Sequence, residues 1–344
     1  MKPRKLLAAG LVLAMTAAAG CGGASDEVGG GEAAASSDSS KAELSLVAYS
    51  TPQVVYDELI PAFQATDAGK GVGFKTSFGA SGDQARAVEA GQKADVVTFS
   101  TEPDMTRLVD ADLVEPTWKD GANEGVVTTS VVSFVVREGN PKNIRTWNDL
   151  LKPGIEVLTP NPFSSGAAKW NLLAGYGWAS DRGKHPDEGL DYLRELITEH
   201  VKVQDKSGRE ALQNFIGGNG DVLLSYEYEA ITANKNGEKL EYVIPDDTIK
   251  INIDIATTKD APAEATAFLD YVLSKPAQEK FAEWGYRPVE EEVLAANADK
   301  FPEPEGLFTI EDLGGWDTVN TELFDIEGGS IAKIEEEAGV STAK

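Results

Sequence analysis

Three serine–glycine pairs recur at comparable places in the chain. Ser81-Gly82 opens "SGDQARAV", Ser165-Gly166 opens "SGAAKWNLLAG" and Ser207-Gly208 opens "SGREALQNFI". Each follows a short apolar run and precedes a helix-like one. Ser50-Thr51-Pro52 marks a fourth junction of the same kind. Serine is a common helix N-cap, worth about 1 kcal/mol and requiring no further function. Taken together, the four junctions offer more. A helix start presents unpaired N–H groups and the positive end of the dipole, so it attracts anions. Small residues there let an anion reach the backbone. The chemistry on offer is anion binding by uncharged donors, provided the four starts face one crevice. "NPFSSGAAKW" (161–170) sharpens the point: it contains no acid in a chain that carries 57.

A site made of donors alone suits sulfate, which offers only acceptors at neutral pH. Monohydrogen phosphate carries a proton, and a site for it gains from a carboxylate acceptor. A carboxylate facing sulfate would oppose two buried acceptors. Asp83 and Asp205 lie near two of the junctions, so phosphate stays open if either turns inward. Molybdate and tungstate differ from sulfate mainly in size and stay open as well. Arg86, Arg209 and Lys169 invite reading as anion clamps but are expected to pair with neighbouring acids.

Signals for catalysis are weak. The two histidines, His185 and His200, have no nucleophile or metal partner at a meaningful spacing. HExxH, G-x-S-x-G, EF-hand and Walker A patterns are absent. No enzyme activity, cofactor or metal is expected. A secreted hydrolase using the Ser-Gly loops would need a histidine beside one of the serines, and a surface adhesin would show no ligand-dependent closure. Tryptophans 118, 147, 170, 178, 284 and 316 are expected to pack rather than to form a sugar platform.

The elements that must position the junctions alternate. Strands are expected at 44–49, 72–78, 94–100, within the long β-branched run 126–141, and at 155–160, 201–205, 220–226, 241–245 and 251–258, with helical patterns between most of them. Strand–helix alternation predicts an α/β fold with mainly parallel sheets, in which helix starts sit at the carboxyl ends of strands, where ligands bind. Ser81 with Gln84, and Ser207 with Glu210, fit the capping box. Thr51 is the expected N-cap of the first helix, with Pro52 at its first position, and Pro61 should kink or end that helix.

The first twenty residues read separately. "MKPRK" and the apolar run after it form a signal peptide, too short for a membrane span. Ala18-Ala19-Gly20-Cys21 resembles a bacterial lipobox, with alanine in place of the usual leucine, so Cys21 is the expected lipidation site. As the sole cysteine of the sequence it excludes an internal disulfide. Removing residues 1–20 takes away Lys2, Arg4 and Lys5 and no acid, moving the formal charge from −26 to −29. Such a surface repels nucleic acid and anionic lipid. Residues 21–42 read as the lipidated cysteine and a flexible tether, with a reach of roughly 25 Å.

With these residues on the page, the chain resembles the sulfate-binding proteins of bacterial ABC importers. The likeness runs in order through "LVAYSTPQVVYDEL", "FGASGDQARAVEAGQKADVVTFS", "TPNPFSSGAAKWN", "GDVLLSYEYEA", "YRPV" and "LFTIEDLGGWDTVN". It implies a two-lobed periplasmic-binding-protein type II fold, with a mainly parallel sheet in each lobe and two hinge crossovers, near 126–130 and 250–256. Lobe 1 is expected at 43–127 plus 255–330, lobe 2 at 128–254, and a C-terminal tail at 331–344. The implied ligand is sulfate or thiosulfate, captured dehydrated and delivered to ABC permease subunits by a monomer. Carried onto this chain, the implied donors are the N–H groups of Ser50 and Ser81, Ser165 through N–H or hydroxyl, and the N–H groups of Gly166, Ala167 and Gly208. Ala167 stands where the family usually has glycine, and Tyr226 where it usually has a donating tryptophan.

Overall fold

A computed structural model describes residues 42–342. The signal peptide, Cys21 and nearly all of the expected tether lie outside these residues. The described residues fall in one compact unit spanning Ser39–Lys344. Its strands are β1 (Ala42–Tyr49), β2 (Val72–Gly79), β3 (Val96–Phe99), β4 (Val126–Arg137), β5 (Val157–Pro160), β6 (Val201–Asp205), β7 (Val222–Tyr226), β8 (Leu240–Val243), β9 (Asp247–Thr257), β10 (Arg287–Pro288) and β11 (Gly306–Phe308). Its helices are α1 (Gln53–Gln64), α2 (Ser81–Glu89), α3 (Glu102–Asp110), α4 (Gly166–Ala179), α5 (Pro186–Glu195), α6 (Gly208–Ile216), α7 (Glu227–Lys235), α8 (Ala263–Leu273), α9 (Lys275–Glu283), α10 (Glu291–Ala296), α11 (Gly315–Val319) and α12 (Ser330–Glu337).

The strand order is β2-β1-β3-β9-β4-β7-β5-β6. β1 pairs in parallel with β2 and β3, and β5 with β6 and β7. These are the α/β units that strand–helix alternation foretold. β9 and β4, between them, pair antiparallel. β4 does double service. Its residues 126–131 pair with β9, and 132–136 pair with β7. It thereby leads from a first group of strands (β1–β3) into a second (β5–β8), and β9 leads back. The burial pattern follows from this position: Val131, Val132, Phe134, Val135 and Val136 are all at most 1% exposed, as expected of a strand covered on both faces.

Local expectations fail in instructive places. α1 runs through Pro61 to Gln64. The three residues beyond the proline are held by the Ala65 N–H on the Pro61 carbonyl and by the fully buried Phe63, so packing outweighs the missing donor. Its cap is Pro52 rather than Thr51. α2 begins at Ser81, whose hydroxyl donates to Asp104 instead of capping, and Gln84 accepts from Ser77. The Ser207 cap forms: Ser207 Oγ accepts from the Glu210 N–H at 3.3 Å.

The end of the chain also departs from expectation. β11 pairs with β9 at 247–249, and α12 packs against α5 and the turn at 196–200. Residues 331–344, expected as a tail, carry most of a helix whose Ile331 and Ile334 are at most 1% exposed. The apolar stripe sits among so many acids that it reads as a solvated end until a partner surface is present.

Candidate anion site

The four strand–helix junctions meet along one seam between the two strand groups. From the first group come Ser50, after β1, and Ser81, at the start of α2. From the second come Ser165 and the start of α4, and Ser207 with the start of α6. The contacts across the seam are specific. The Gly82 N–H donates to the Ser164 carbonyl at 3.1 Å. Trp170 Nε1 donates to the Ser100 carbonyl at 2.5 Å, and the Ser100 N–H donates to Ser81 Oγ at 3.1 Å. Thr51 Oγ1 and the Tyr228 hydroxyl lie 2.7 Å apart. Arg209 donates to the Ser50 carbonyl and, at 2.6 Å, to Gln53.

Small residues matter where the groups approach, most of all at Gly166. A Cβ on Gly166 would collide with Ser100 Oγ and lie 2.8 Å from the Thr101 methyl. A Cβ on Gly208 would sit 3.1 Å from Glu229 Oε1 and 3.7 Å from both Ala167 Cβ and Thr51 Cγ2. Two cavities reach the seam. One of about 480 Å³ is lined by Gly82, Arg86, Ser165, Gly166 and Lys169. The other, about 430 Å³, is lined by Thr51, Arg209, Tyr228 and Glu229.

The donors can be followed one by one. Among the described residues, the N–H groups of Ser50, Ser81, Gly166, Ala167 and Gly208 meet no acceptor in any turn, cap or loop. Four of the five lie in the first turns of α2, α4 and α6, where no intrahelical acceptor exists. The residues are nonetheless buried: Ser50, Ser81 and Ala167 are 6%, 2% and 8% exposed. The Ser165 N–H is different. It donates to the Asn161 carbonyl at 2.9 Å, so of its two expected roles the N–H is already engaged and the hydroxyl remains.

Tyr226 ends β7 and is 1% exposed, and its hydroxyl lies beside the Ser100 side chain without a well-formed hydrogen bond. Burial pushes it well above the ordinary tyrosine range, so it holds its proton and can donate. A buried ion pair holds the adjoining turn, with Glu227, at the head of α7, bound by Arg287.

Glu229 is the residue that sequence reasoning missed. It stands in the first turn of α7, 2% exposed, its carboxyl beside the Ser225 hydroxyl but without a well-formed hydrogen bond. Burial pushes it up to about 7, with the Ser225 hydroxyl and then the Arg209 charge pulling the other way. Below that pH the group is neutral and can turn a donor toward the seam. The available signal was its spacing, three residues after Tyr226 at a helix start, in a chain too rich in acids for one to stand out.

The acids that were suspected turn elsewhere. Asp83 is ion-paired with Arg86 and, at 2.6 Å, with Lys206. Asp205 accepts from Asn214. The first turn of α4 carries no acid. Arg86 pairs with an acid as expected, whereas the Arg209 bonds go to neutral oxygens. Lys169 bonds Asn320 at 3.0 Å. His200 is buried on the Ile155 carbonyl, and neither imidazole bonds to Ser50, Ser81, Ser165 or Ser207.

Comparison with known proteins gives a consistent picture. The sequence profile of a family described as bacterial extracellular solute-binding protein matches residues 44–287. A sulfate-binding protein from Synechococcus elongatus is 38% identical over 309 residues, 86% of this chain and 87% of that one. A thiosulfate-binding protein from Escherichia coli is 34% identical over 85% and 90% of the two chains. The solved structure of the sulfate-binding protein SubI from Mycobacterium tuberculosis H37Rv matches with a TM-score of 0.81 and 49% identity, over 83% of this chain and all of that one. The periplasmic binding protein AfuA from Actinobacillus pleuropneumoniae, 20% identical with a TM-score of 0.59, shares the fold.

Proposed function

The chain belongs to the bacterial extracellular solute-binding protein family, and we propose that it captures sulfate, or thiosulfate, in the seam and delivers it to an ABC permease. One observation carries the ligand reading. Five buried backbone N–H groups from both strand groups, with no acceptor of their own, open on a seam in which Asp104 is taken up by the Ser81 and Thr101 hydroxyls and Glu229 is pushed toward its neutral form by burial. Buried amides lacking acceptors are costly. A dianion would satisfy them with charge-assisted hydrogen bonds. The relatives named as sulfate- and thiosulfate-binding proteins support the same ligand class.

The mechanism is capture. The first strand group with its helices acts as one lobe and the second as the other. β4 and β9 are the hinge. The anion bridges Ser50 and Ser81 on one side with Gly166, Ala167, Gly208 and the Ser165 hydroxyl on the other. The Tyr226 hydroxyl supplies a donor where the family uses tryptophan. Closure excludes water, which strengthens every bond to the charge. The family's extracellular character supports a folded unit outside the cytoplasm, with Cys21 and the tether holding it to the membrane.

Molybdate, tungstate and phosphate are the competing ligands, and Glu229 is what keeps phosphate in the comparison, since an ionised carboxylate could accept its proton. Calorimetric titration of the cleaved, anion-free protein with sulfate, thiosulfate, phosphate and molybdate decides. Sulfate or thiosulfate should bind tightest. Binding of phosphate without binding of sulfate overturns the reading.

A further inference from the structure

Beside the seam, a polar cavity of about 80 Å³ opens along β9, lined by Glu102, Lys119, Glu124, Asn252, Asp254 and Glu311 and by the seam residue Trp170. Asp254 is 4% exposed. Its Oδ2 and the Asn252 Oδ1 are both buried without a donor among the described residues. The two residues stand two apart on β9, so both project from the same face of the strand. Around them are the carboxylates of Glu102, Glu124 and Glu311, against one cation, Lys119, which is already ion-paired with Glu102. An ionised carboxylate buried without a donor costs several kcal/mol, and neighbouring acids add to that cost.

The acceptor set limits what could neutralise it. Every available ligand atom is a hard oxygen, which suits hydrated alkali and alkaline-earth cations and not soft metals. No group of three or more His, Cys, Asp or Glu side chains among the described residues converges to hold a metal ion. A divalent ion in a carboxylate cage is therefore disfavoured. One buried carboxylate charge, one amide oxygen and room for water match a single monovalent charge. Burial pushes Asp254 well above the ordinary carboxylate range, so a proton is the competing way to neutralise it.

We propose that Asp254 and Asn252 hold a monovalent alkali cation, Na⁺ or K⁺, in this cavity. The site joins three parts of the chain: β9, the start of α3 through Glu102, and the C-terminal segment through Glu311 and Trp316. The bound ion pins that segment against β9.

The test uses the tryptophans that line the cavity. Trp170 and Trp316 meet edge to face at 4.8 Å. Fluorescence of the sulfate-free protein is titrated with NaCl and with KCl against tetramethylammonium chloride at constant ionic strength, alongside melting curves. A saturable change with Na⁺ or K⁺ and none with the bulky cation is expected, with the tighter of the two naming the ion. Asp254→Asn should weaken the apparent affinity at least tenfold and abolish the cation-dependent rise in Tm. The same response to all three salts overturns the proposal, as does a wild-type response from Asp254→Asn. A stabilised Asp254→Asn with no cation response in either protein shows that Asp254 carries a proton, and overturns it equally. If Asp254→Asn does not fold, Asn252→Ala carries the test, and an unchanged affinity there is fatal. Sulfate is absent throughout, so failure here leaves the anion reading untouched.

Discussion

The Gly82 N–H donates to the Ser164 carbonyl at 3.1 Å, tying the start of α2 directly to the loop that leads into α4. The bond joins the two strand groups, so it can exist only while the seam is closed. If sulfate closes the seam, hydrogen exchange at the Gly82 amide should slow when sulfate is added, and small-angle scattering should show a more compact particle. Equal exchange with and without sulfate would show that this bond does not report closure.

Gly166 is the tightest point of approach. The Cβ of an alanine there would strike Ser100 Oγ and press on the Thr101 methyl. Gly166→Ala should lower sulfate affinity at least tenfold, about 1.4 kcal/mol, because the α4 start can no longer seat against the first group. Gly208→Ala meets its nearest atom at 3.1 Å, the end of the Glu229 side chain, and should cost less. Calorimetry on the two variants checks the order.

Tyr226→Phe separates donation from packing. The hydroxyl is buried without a well-formed hydrogen bond, so its removal should leave the Tm of the sulfate-free protein unchanged or raised. If the hydroxyl donates to the anion, affinity should fall by about ten- to a hundredfold, as expected for a bond to a charged group worth about 1.5–3 kcal/mol. Unchanged affinity would make Tyr226 a wall and not a donor.

Stability should fall as pH rises through neutrality. Burial pushes Glu335 of α12 up to about 7 from its ordinary 4.5, opposed by its 2.6 Å bond from Gln204. A carboxyl raised on folding contributes stability that is complete below its unfolded value and is lost as pH climbs through the folded one. Glu229 shifts in the same direction. Denaturant unfolding at pH 5 and pH 8 should therefore show a drop of a few kcal/mol, and Glu335→Gln should flatten part of it. A variant with the wild-type pH slope would remove Glu335 from the account.

Much of this was legible in the residues. Strand–helix alternation located every strand of the two groups to within a few positions, because continuous β-branched runs such as "VVTTSVVSFVV" and apolar helical faces such as Tyr56 and Phe63 have a single stable arrangement. The Ser-Gly junctions were legible as helix starts. Capping at Ser81 was not, because Asp104, distant in sequence, outcompetes the local backbone for its hydroxyl. Glu229 was invisible for the opposite reason: its carboxyl is distinguished only by its burial, which no local pattern encodes.

Local sequence alone determined the α/β alternation, the donor-rich starts of α2, α4 and α6 and the acid-free character of the loop before α4, since each depends on neighbours a few residues away. Tertiary structure decided that the four junctions share one seam, that the Ser165 N–H is taken up within its own loop, that α12 returns to pack on α5, and that Asp254 and Glu229 are buried. Those outcomes depend on β4 and β9 bringing together groups scores of residues apart. Hydrogen-bond satisfaction is a property of the assembled interior and not of the local chain.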